Sequence, residues 1–339
     1  MLVVRPISVQ DFEALKLCAQ ESGHGFTSLP VNDELLQRRI DNSVRSFNKR
    51  VTQPCSEGYL MVAEDSETGE IAGTTGIEAA IGLDIPFYSY HISKVVHSSR
   101  KLNVHNVVKV LTFGNNYTGN SELCTLFLRN EWRQGLNGRL LSKARFMLMA
   151  EYPERFSEVV FAEMRGVSDE HGNSPFWHWL KEHFFSIDFT QADYLTGIGK
   201  KGFIADLMPK LPIYVNLLSP EAQAVIGQVH PQTLPALKLL EKEGFCNRGY
   251  VDIFDAGPTV ECDVRNIESV RHSQRAKVKI GEPSLRRQYL ISNTSCKDFR
   301  AVAAPLSFNE ESQTVVLSQQ VADALRVTTG NTIRFVALT

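Results

Sequence analysis

The sequence offers no cysteine framework to build a fold on. Its six cysteines, Cys18, Cys55, Cys124, Cys246, Cys262 and Cys296, are scattered, with no Cys-x-x-Cys and no regular spacing. That pattern predicts reduced thiols and leaves a structural zinc site unsupported. No apolar run approaches the roughly 18 residues that a membrane helix needs. The opening Met1–Pro6 lacks the long apolar stretch of a signal peptide. The expectation is therefore a soluble, cytoplasmic protein with no membrane partner. A charge imbalance is missing too, since 36 Lys and Arg against 38 Asp and Glu leave a net charge of −2. No global field draws such a chain to nucleic acid or anionic lipid. Repeats and low-complexity tracts are also absent. With 43% hydrophobic residues in a chain of 339, a core of normal size forms without metals or disulfides, and two domains are expected.

What is there alternates between β-rich runs and amphipathic stretches. Leu2–Ile7 reads as a strand. Ser8, with Asp11 three residues on, approximates a capping box for a helix with Phe12, Leu15 and Cys18 along it. Leu35, Leu36 and Ile40 predict a second helix over Asp33–Asn48. Gly58–Glu64 and Ile71–Glu78 read as strands joined by a polar turn containing Gly69. Tyr90–His97 and Val107–Phe113 are strand-like, Glu122–Leu128 is a dense apolar strand, Asn137–Ala150 a helix and Val159–Met164 a short strand. Pro175 to Leu217 reads as a long aromatic-rich helical segment, its aromatics from Phe176 to Phe185 forming core or a subunit interface. Pro235–Glu243 is a helix stopped by Gly244, and Tyr250–Phe254 a strand. After about residue 267 a basic cluster at Arg286 and Arg287, read as a solvated loop, precedes short β-like runs ending with Thr332–Ala337. Residues 266–339 are expected to form a small β-barrel-like domain. It follows a main domain over residues 1–265 that carries a helical insertion at about 166–225.

The chemistry begins at Glu122–Ala150, a strand, a loop and a helix. Arg133, Gly135, Asn137, Gly138 and Arg139 make a Gly-containing loop that opens a helix. Unpaired N–H groups and the helix dipole suit a pyrophosphate there. The loop lacks the Gly-Lys-Ser/Thr of a P-loop and does not match G-x-G-x-x-G. Taken alone it is equally a structural turn. His178 and His183 are five apart and share no helix face, so no metal pair is expected. Cys124 reads as a buried small apolar residue rather than a nucleophile. Glu163 and Arg165 alternate with Ala162 and Met164, and either face a polar substrate or form a structural ion pair.

Order along the chain adds to this. An N-terminal strand and helix, a hairpin, and a strand followed by Arg133 and Gly138 resemble the GNAT acyltransferases, whose Q/R-x-x-G-x-G/A loop binds the pyrophosphate of coenzyme A. Leu136 stands where the first Gly of that pattern is expected, with Gly135 displaced by one. Val229–Phe245 is similar to the late helix of that family at Ala236, Leu239, Glu241, Lys242, Gly244 and Phe245. Leu240 replaces the Tyr that often protonates the departing thiolate. At closer range Ser121–Leu128, Ala162–Gly166, Asp169–Gly172, Ser174–Trp177, Gly227–Thr233, Thr27–Pro30 and Asp252–Asp255 resemble the arginine N-succinyltransferase family, over roughly residues 3–265.

The resemblance implies an α/β fold with a GNAT-like mixed, mostly antiparallel sheet flanked by helices. It also implies transfer of succinyl from succinyl-CoA, a cosubstrate, to the α-amino group of L-arginine, with no tightly bound cofactor and no metal. His230 is then the expected proton donor and Leu126 a succinyl-CoA contact, with Leu128 beside it on the strand. By residue type alone a His before Pro is usually a turn residue, although its pKa range suits proton transfer at neutral pH. A thioester is already activated, so the enzyme mainly positions the amine and binds the oxyanion. Glu122 and Glu163 suit a guanidinium, and Arg165 a succinyl carboxylate. The family further implies a homo-oligomer or a heteromer with a related subunit. An ornithine-acting enzyme or a non-catalytic subunit stands as the alternative.

Overall fold

Sixteen strands are found among the residues that the computed structural model describes, which are 1–23, 29–169, 172–200, 202–284 and 287–338. Thr27, Ser28, Glu170, His171 and Arg286, all used in reading the sequence, lie outside the described residues. In chain order the strands are β1 (Leu2–Pro6), β2 (Gly58–Asp65), β3 (Ile71–Glu78), β4 (Ser89–Ser99), β5 (Val104–Gly114), β6 (Ser121–Leu128), β7 (Val159–Glu163) and β8 (Ile213–Tyr214). There follow β9 (Cys246–Val251), β10 (Pro258–Asp263), β11 (Gln274–Ile280), β12 (Gln288–Asn293), β13 (Ala301–Pro305), β14 (Ser307–Asn309), β15 (Thr314–Leu317) and β16 (Thr332–Ala337). They join in one open sheet of order β14-β15-β11-β16-β12-β13-β1-β2-β3-β6-β7-β10-β9-β4-β5-β8. Only β6–β7 and β11–β15 run parallel.

The C-terminal strands were expected to curl into a barrel. They instead extend the sheet, because β13 pairs with β1 through Val3↔Val302 and Val4↔Ala301 and the sheet does not close. One core spans the seam. The Asn137–Glu151 helix is buried on nearly every side from Leu140 to Met149, with Ser142, Lys143 and Arg145 enclosed among its apolar residues. It packs with Met61 and Ala63 of β2 and with Leu290, Ala301 and Val336 of the C-terminal strands. Alternation sets the faces of β2: Tyr59, Met61 and Ala63 point to this core, while Leu60 and Val62 meet the helices Phe12–Ser22 and Asp33–Asn48 on the other side. The expected capping box lies one turn earlier, on the 3-10 turn Val9–Asp11 that leads into the first of those helices, where Asp11 Oδ2 accepts from the Ser8 N–H at 2.8 Å.

Two other expectations change. The single helical segment expected over Pro175–Leu217 is broken into Pro175–Phe184, Phe189–Gly197 and Gly202–Leu207, followed by β8, and a further helix, Pro220–Val225, lies beyond it. Gly199 at φ +83° turns the chain left-handed. Pro209 and Pro212 lack the N–H that a helix needs there. The strand expected over Tyr250–Phe254 ends at Val251, because Asp252 Oδ1 accepts the N–H groups of Phe254 (2.7 Å) and Asp255 (2.9 Å) and curls the backbone into a turn. Gly244, at φ +98°, does stop the Leu234–Lys242 helix.

Candidate active site

The parallel neighbours β6 and β7 come apart. β6 is eight residues long, yet it pairs with β7 only at Ser121↔Val160 and Glu122↔Phe161. From Leu123 onward the two strands flank a cleft of about 710 Å³. On its other side β6 meets β3 with a bulge, where the register shifts between Thr74 and Gly76. Thr125 sits in that bulge at φ +56°, a strained conformation for a β-branched residue. Two interactions hold it there: Thr74 Oγ1 donates to the Thr125 carbonyl at 2.9 Å, and Arg39 Nη2 donates to Thr125 Oγ1 at 3.1 Å. Leu126 and Leu128, both expected at the site, are half-buried beyond the bulge and line the cleft. The open edge of β6 thus offers backbone groups to an extended ligand, in the manner of an added strand.

The far end of the cleft is the Gly loop. Arg133, Gly135, Gly138 and Arg139 line it. Gly135 has φ +56°, so the loop turns through a left-handed residue just before the helix. Leu136 is the N-cap and supplies no side-chain cap, and no acid lies in the first turn. Asn137 uses its side chain to brace the loop, donating to the Trp132 carbonyl at 3.0 Å. Arg133 donates from Nε to the Leu128 carbonyl at 2.7 Å and lies over the Phe127 ring, so it ties the loop to the end of β6. The helix end is left open to an anion.

His230 does not itself line the cleft but stands next to Gln232 and Thr233, which do. Its N–H donates to the Arg165 carbonyl at 2.8 Å, and Gly166 and Val229 form an isolated bridge beside it. His230 Nδ1 accepts from the Gln232 N–H at 3.2 Å, which fixes the neutral tautomer carrying its proton on Nε2. Partial burial, and then the Arg165 charge, hold its pKa below the usual histidine value, so the ring is neutral at neutral pH. Arg165, Gln232 and Thr233 line the cleft. Arg165 itself donates from Nη2 to Ser168 Oγ at 3.0 Å.

Beneath this wall lies a pair of carboxyls that reading the sequence did not single out for a role. Asp255 is 6% exposed and accepts from the Gly166 N–H at 2.7 Å and the Gly257 N–H at 2.8 Å. Burial, and then the neighbouring Asp252 charge, push the Asp255 carboxyl well above the usual range, and burial raises Asp252 as well. The fit is close. A Cβ on Gly166 would meet Asp255 atoms at 2.6 Å, and one on Gly257 would meet the Met164 carbonyl at 2.1 Å. The Asp252-x-x-Asp255 spacing was visible, but nothing in it announced that both side chains turn inward.

A second cavity of about 1220 Å³ opens on the other side of β6. Its walls carry the carboxylates Asp41, Glu78, Asp84, Glu122, Glu163 and Asp252 together with Arg38, Arg39 and Arg45. Arg39 pairs with Glu78 at 3.0 Å, and burial raises the Glu78 carboxyl against that pull. The two cavities share Glu122, Cys124, Glu163, Asp252 and Phe254. Cys124 is no nucleophile at this junction, since burial pushes its thiol up to about 12. The structure thus brings Glu122, Glu163, Arg165, Leu126, Leu128 and the Gly loop to one connected space, with His230 at its margin.

The family model described as arginine N-succinyltransferase beta subunit matches residues 2–269, and that of its C-terminal domain matches residues 274–337. An arginine N-succinyltransferase from Citrobacter koseri is 47% identical over 340 residues, covering 100% of this chain and 98% of the relative. One from Salmonella schwarzengrund is 48% identical over 341 residues with the same coverage. Among solved structures, arginine/ornithine succinyltransferase subunit AI from Pseudomonas aeruginosa superposes with a TM-score of 0.91 at 39% identity, covering 100% of this chain and 99% of that one.

Proposed function

The chain belongs to the arginine N-succinyltransferase family, and on that premise we propose how its two cavities perform the transfer. The reaction is acyl transfer from succinyl-CoA to the α-amine of L-arginine, a step of arginine catabolism. In this reading the CoA pyrophosphate binds at the open helix end beside Arg133, Gly135, Gly138 and Arg139. The pantetheine arm runs along the free edge of β6, past Leu128 and Leu126, and delivers the thioester to the junction. L-arginine enters from the acidic cavity, whose carboxylates suit a guanidinium and an α-ammonium, with Glu122 and Glu163 nearest the thioester. The observation that carries this reading is the meeting of two cavities at shared residues, which lets both substrates be bound at once.

The α-ammonium first loses a proton, and the free amine attacks the thioester carbonyl. Backbone N–H groups at the Thr125 bulge are placed to receive the oxyanion. When the C–S bond breaks, the thiolate takes up the proton that the new amide nitrogen sheds, and the Nε2–H of His230 donates toward the sulfur and relays that proton, so the imidazole stays neutral throughout. No covalent enzyme intermediate is needed, in keeping with the inert Cys124. The decisive assay follows free thiol release from succinyl-CoA with L-arginine, with L-ornithine and with no amine. Release that depends on arginine, with intersecting double-reciprocal lines, supports direct transfer. Parallel lines, or release indifferent to the amine, refute it.

The relatives are named for arginine, which favours that acceptor over the ornithine-acting or non-catalytic alternatives. The six free cysteines support a reducing, cytoplasmic setting. Among the described residues no helix is long and apolar enough to cross a membrane. Assembly with a second, related subunit is favoured by the description of the Pseudomonas protein as a subunit.

A further inference from the structure

One buried positive charge in the cleft has no acid beside it. Arg145 is 2% exposed, and it shares one face of the Asn137–Glu151 helix with Gly138 and Leu141, all three lining the space between β6 and β7. Its Nε and Nη2 donate only to its own helix, to the Ser142 carbonyl at 2.9 Å and hydroxyl at 3.1 Å. Among the described residues no carboxylate pairs with it. The comparable buried guanidiniums are better provided for. Arg39 has Glu78 at 3.0 Å and Arg300 has Asp298 at 3.6 Å. Arg155 reaches the Ser46 and Lys49 carbonyls and the Tyr59 hydroxyl.

Keeping a guanidinium in such a place is costly without an anion. Burial pushes Arg145 down to about 10, and the titratable group near enough to couple to it is Cys124, at the junction of the two cavities. Position fits as well. Arg145 lies seven residues beyond Gly138, about 10 Å deeper along the helix axis than the phosphate-binding end. A pantetheine arm running in the direction of that helix, and so antiparallel to β6, brings its acyl group to that depth.

We propose that Arg145 receives the terminal carboxylate of the succinyl group and makes the cleft selective for dicarboxylic acyl thioesters. The proposal rests on the reading of this cleft as the acyl-CoA site. It displaces Arg165, the candidate from sequence, which is engaged with Ser168 beside His230.

The test compares succinyl-CoA with butyryl-CoA, which has the same chain length and no terminal charge. It uses the wild type, Arg145→Met and Arg145→Lys, and reads kcat/KM with L-arginine as acceptor. The wild type should prefer succinyl-CoA by about 10²-fold or more. Arg145→Met should erase that preference by lowering the succinyl-CoA value alone, and Arg145→Lys should keep part of it. Equal use of the two thioesters by the wild type overturns the proposal, and so does a proportional loss on both in Arg145→Met. If Arg145→Met does not fold, the wild-type ratio and its reduction in Arg145→Lys decide. A wild type that turns over neither thioester refutes the transferase reading instead; calorimetric affinities for the two thioesters then decide the role of Arg145 by the same ratio.

Discussion

Glu243→Gln strikes the tie between the two helices that wall the cleft. Glu243 follows the Leu234–Lys242 helix and is 1% exposed. Its Oε1 lies 2.7 Å from Nζ of Lys143, itself 6% exposed on the Asn137–Glu151 helix. The same carboxylate accepts from the Ser269 N–H at 2.8 Å and hydroxyl at 2.9 Å. A glutamine there leaves a buried ammonium facing a neutral amide. Removing one partner of a buried pair costs about 3–5 kcal/mol. Unfolding entropy of about 2.1 cal/mol/K per residue gives a chain of this length roughly 0.7 kcal/mol/K, so the melting temperature should fall by about 4–7 °C. Circular dichroism melts of the wild type and variant measure this. The double variant Lys143→Met/Glu243→Gln should recover most of the loss, because no unpaired charge remains and the glutamine oxygen still accepts from Ser269. A fall of under about 1 °C in the single variant, or a further fall in the double, would refute the reasoning.

Three other outcomes follow from the site. His230→Ala should lower kcat by about 10²-fold or more with little change in thioester affinity, read from steady-state kinetics and direct binding; wild-type turnover removes His230 from the chemistry. Arg133→Ala should raise the KM for succinyl-CoA more than it lowers kcat, and an unchanged KM takes Arg133 out of the phosphate site. Asp252 and Asp255 are raised by burial, so between the unfolded carboxyl pKa and their folded values the native state holds more protons than the unfolded one. Their contribution to stability is full below the unfolded pKa, near 3.9, and is lost as pH rises through the folded values. Asp252→Asn keeps an Oδ1 for the Phe254 and Asp255 N–H groups while removing the repulsion. Urea midpoints from pH 4 to 8 should therefore decline less steeply than in the wild type, and equal slopes would rule out the pair as their source.

Periodicity carried the reading wherever one face of an element is buried. The Asp33–Asn48 helix and the strands β3 and β16 lie where alternation and turns placed them. The strands β10 and β11 escaped it. β10 is bounded by a proline and mixes Glu261 and Asp263 into its run, and β11 alternates exposed Lys277 and Lys279 with buried Ala276 and Val278. The Gly loop was legible because a helix opening after an apolar strand is a local event. The place of Asp255 was not legible, because the Gly166 N–H that it accepts comes from far off in sequence. Arg145 is a single cation on an otherwise apolar helix face, and that anomaly was the available signal. The open C-terminal sheet was missed for the same reason: nothing local to residues 266–339 says that their neighbour is β1.

That seam has a consequence for synthesis. Val3 leaves the ribosome about 300 residues ahead of its edge partner Val302. At roughly 5–20 residues per second the nascent strand waits some 15–60 s with one side unpaired. The helix Asn137–Glu151 emerges in the meantime with part of its apolar surface meant for Leu290, Ala301 and Val336. A ribosome stalled before β13 therefore presents an unfinished sheet, and chaperones that bind apolar nascent segments should favour this chain until its last forty residues are made.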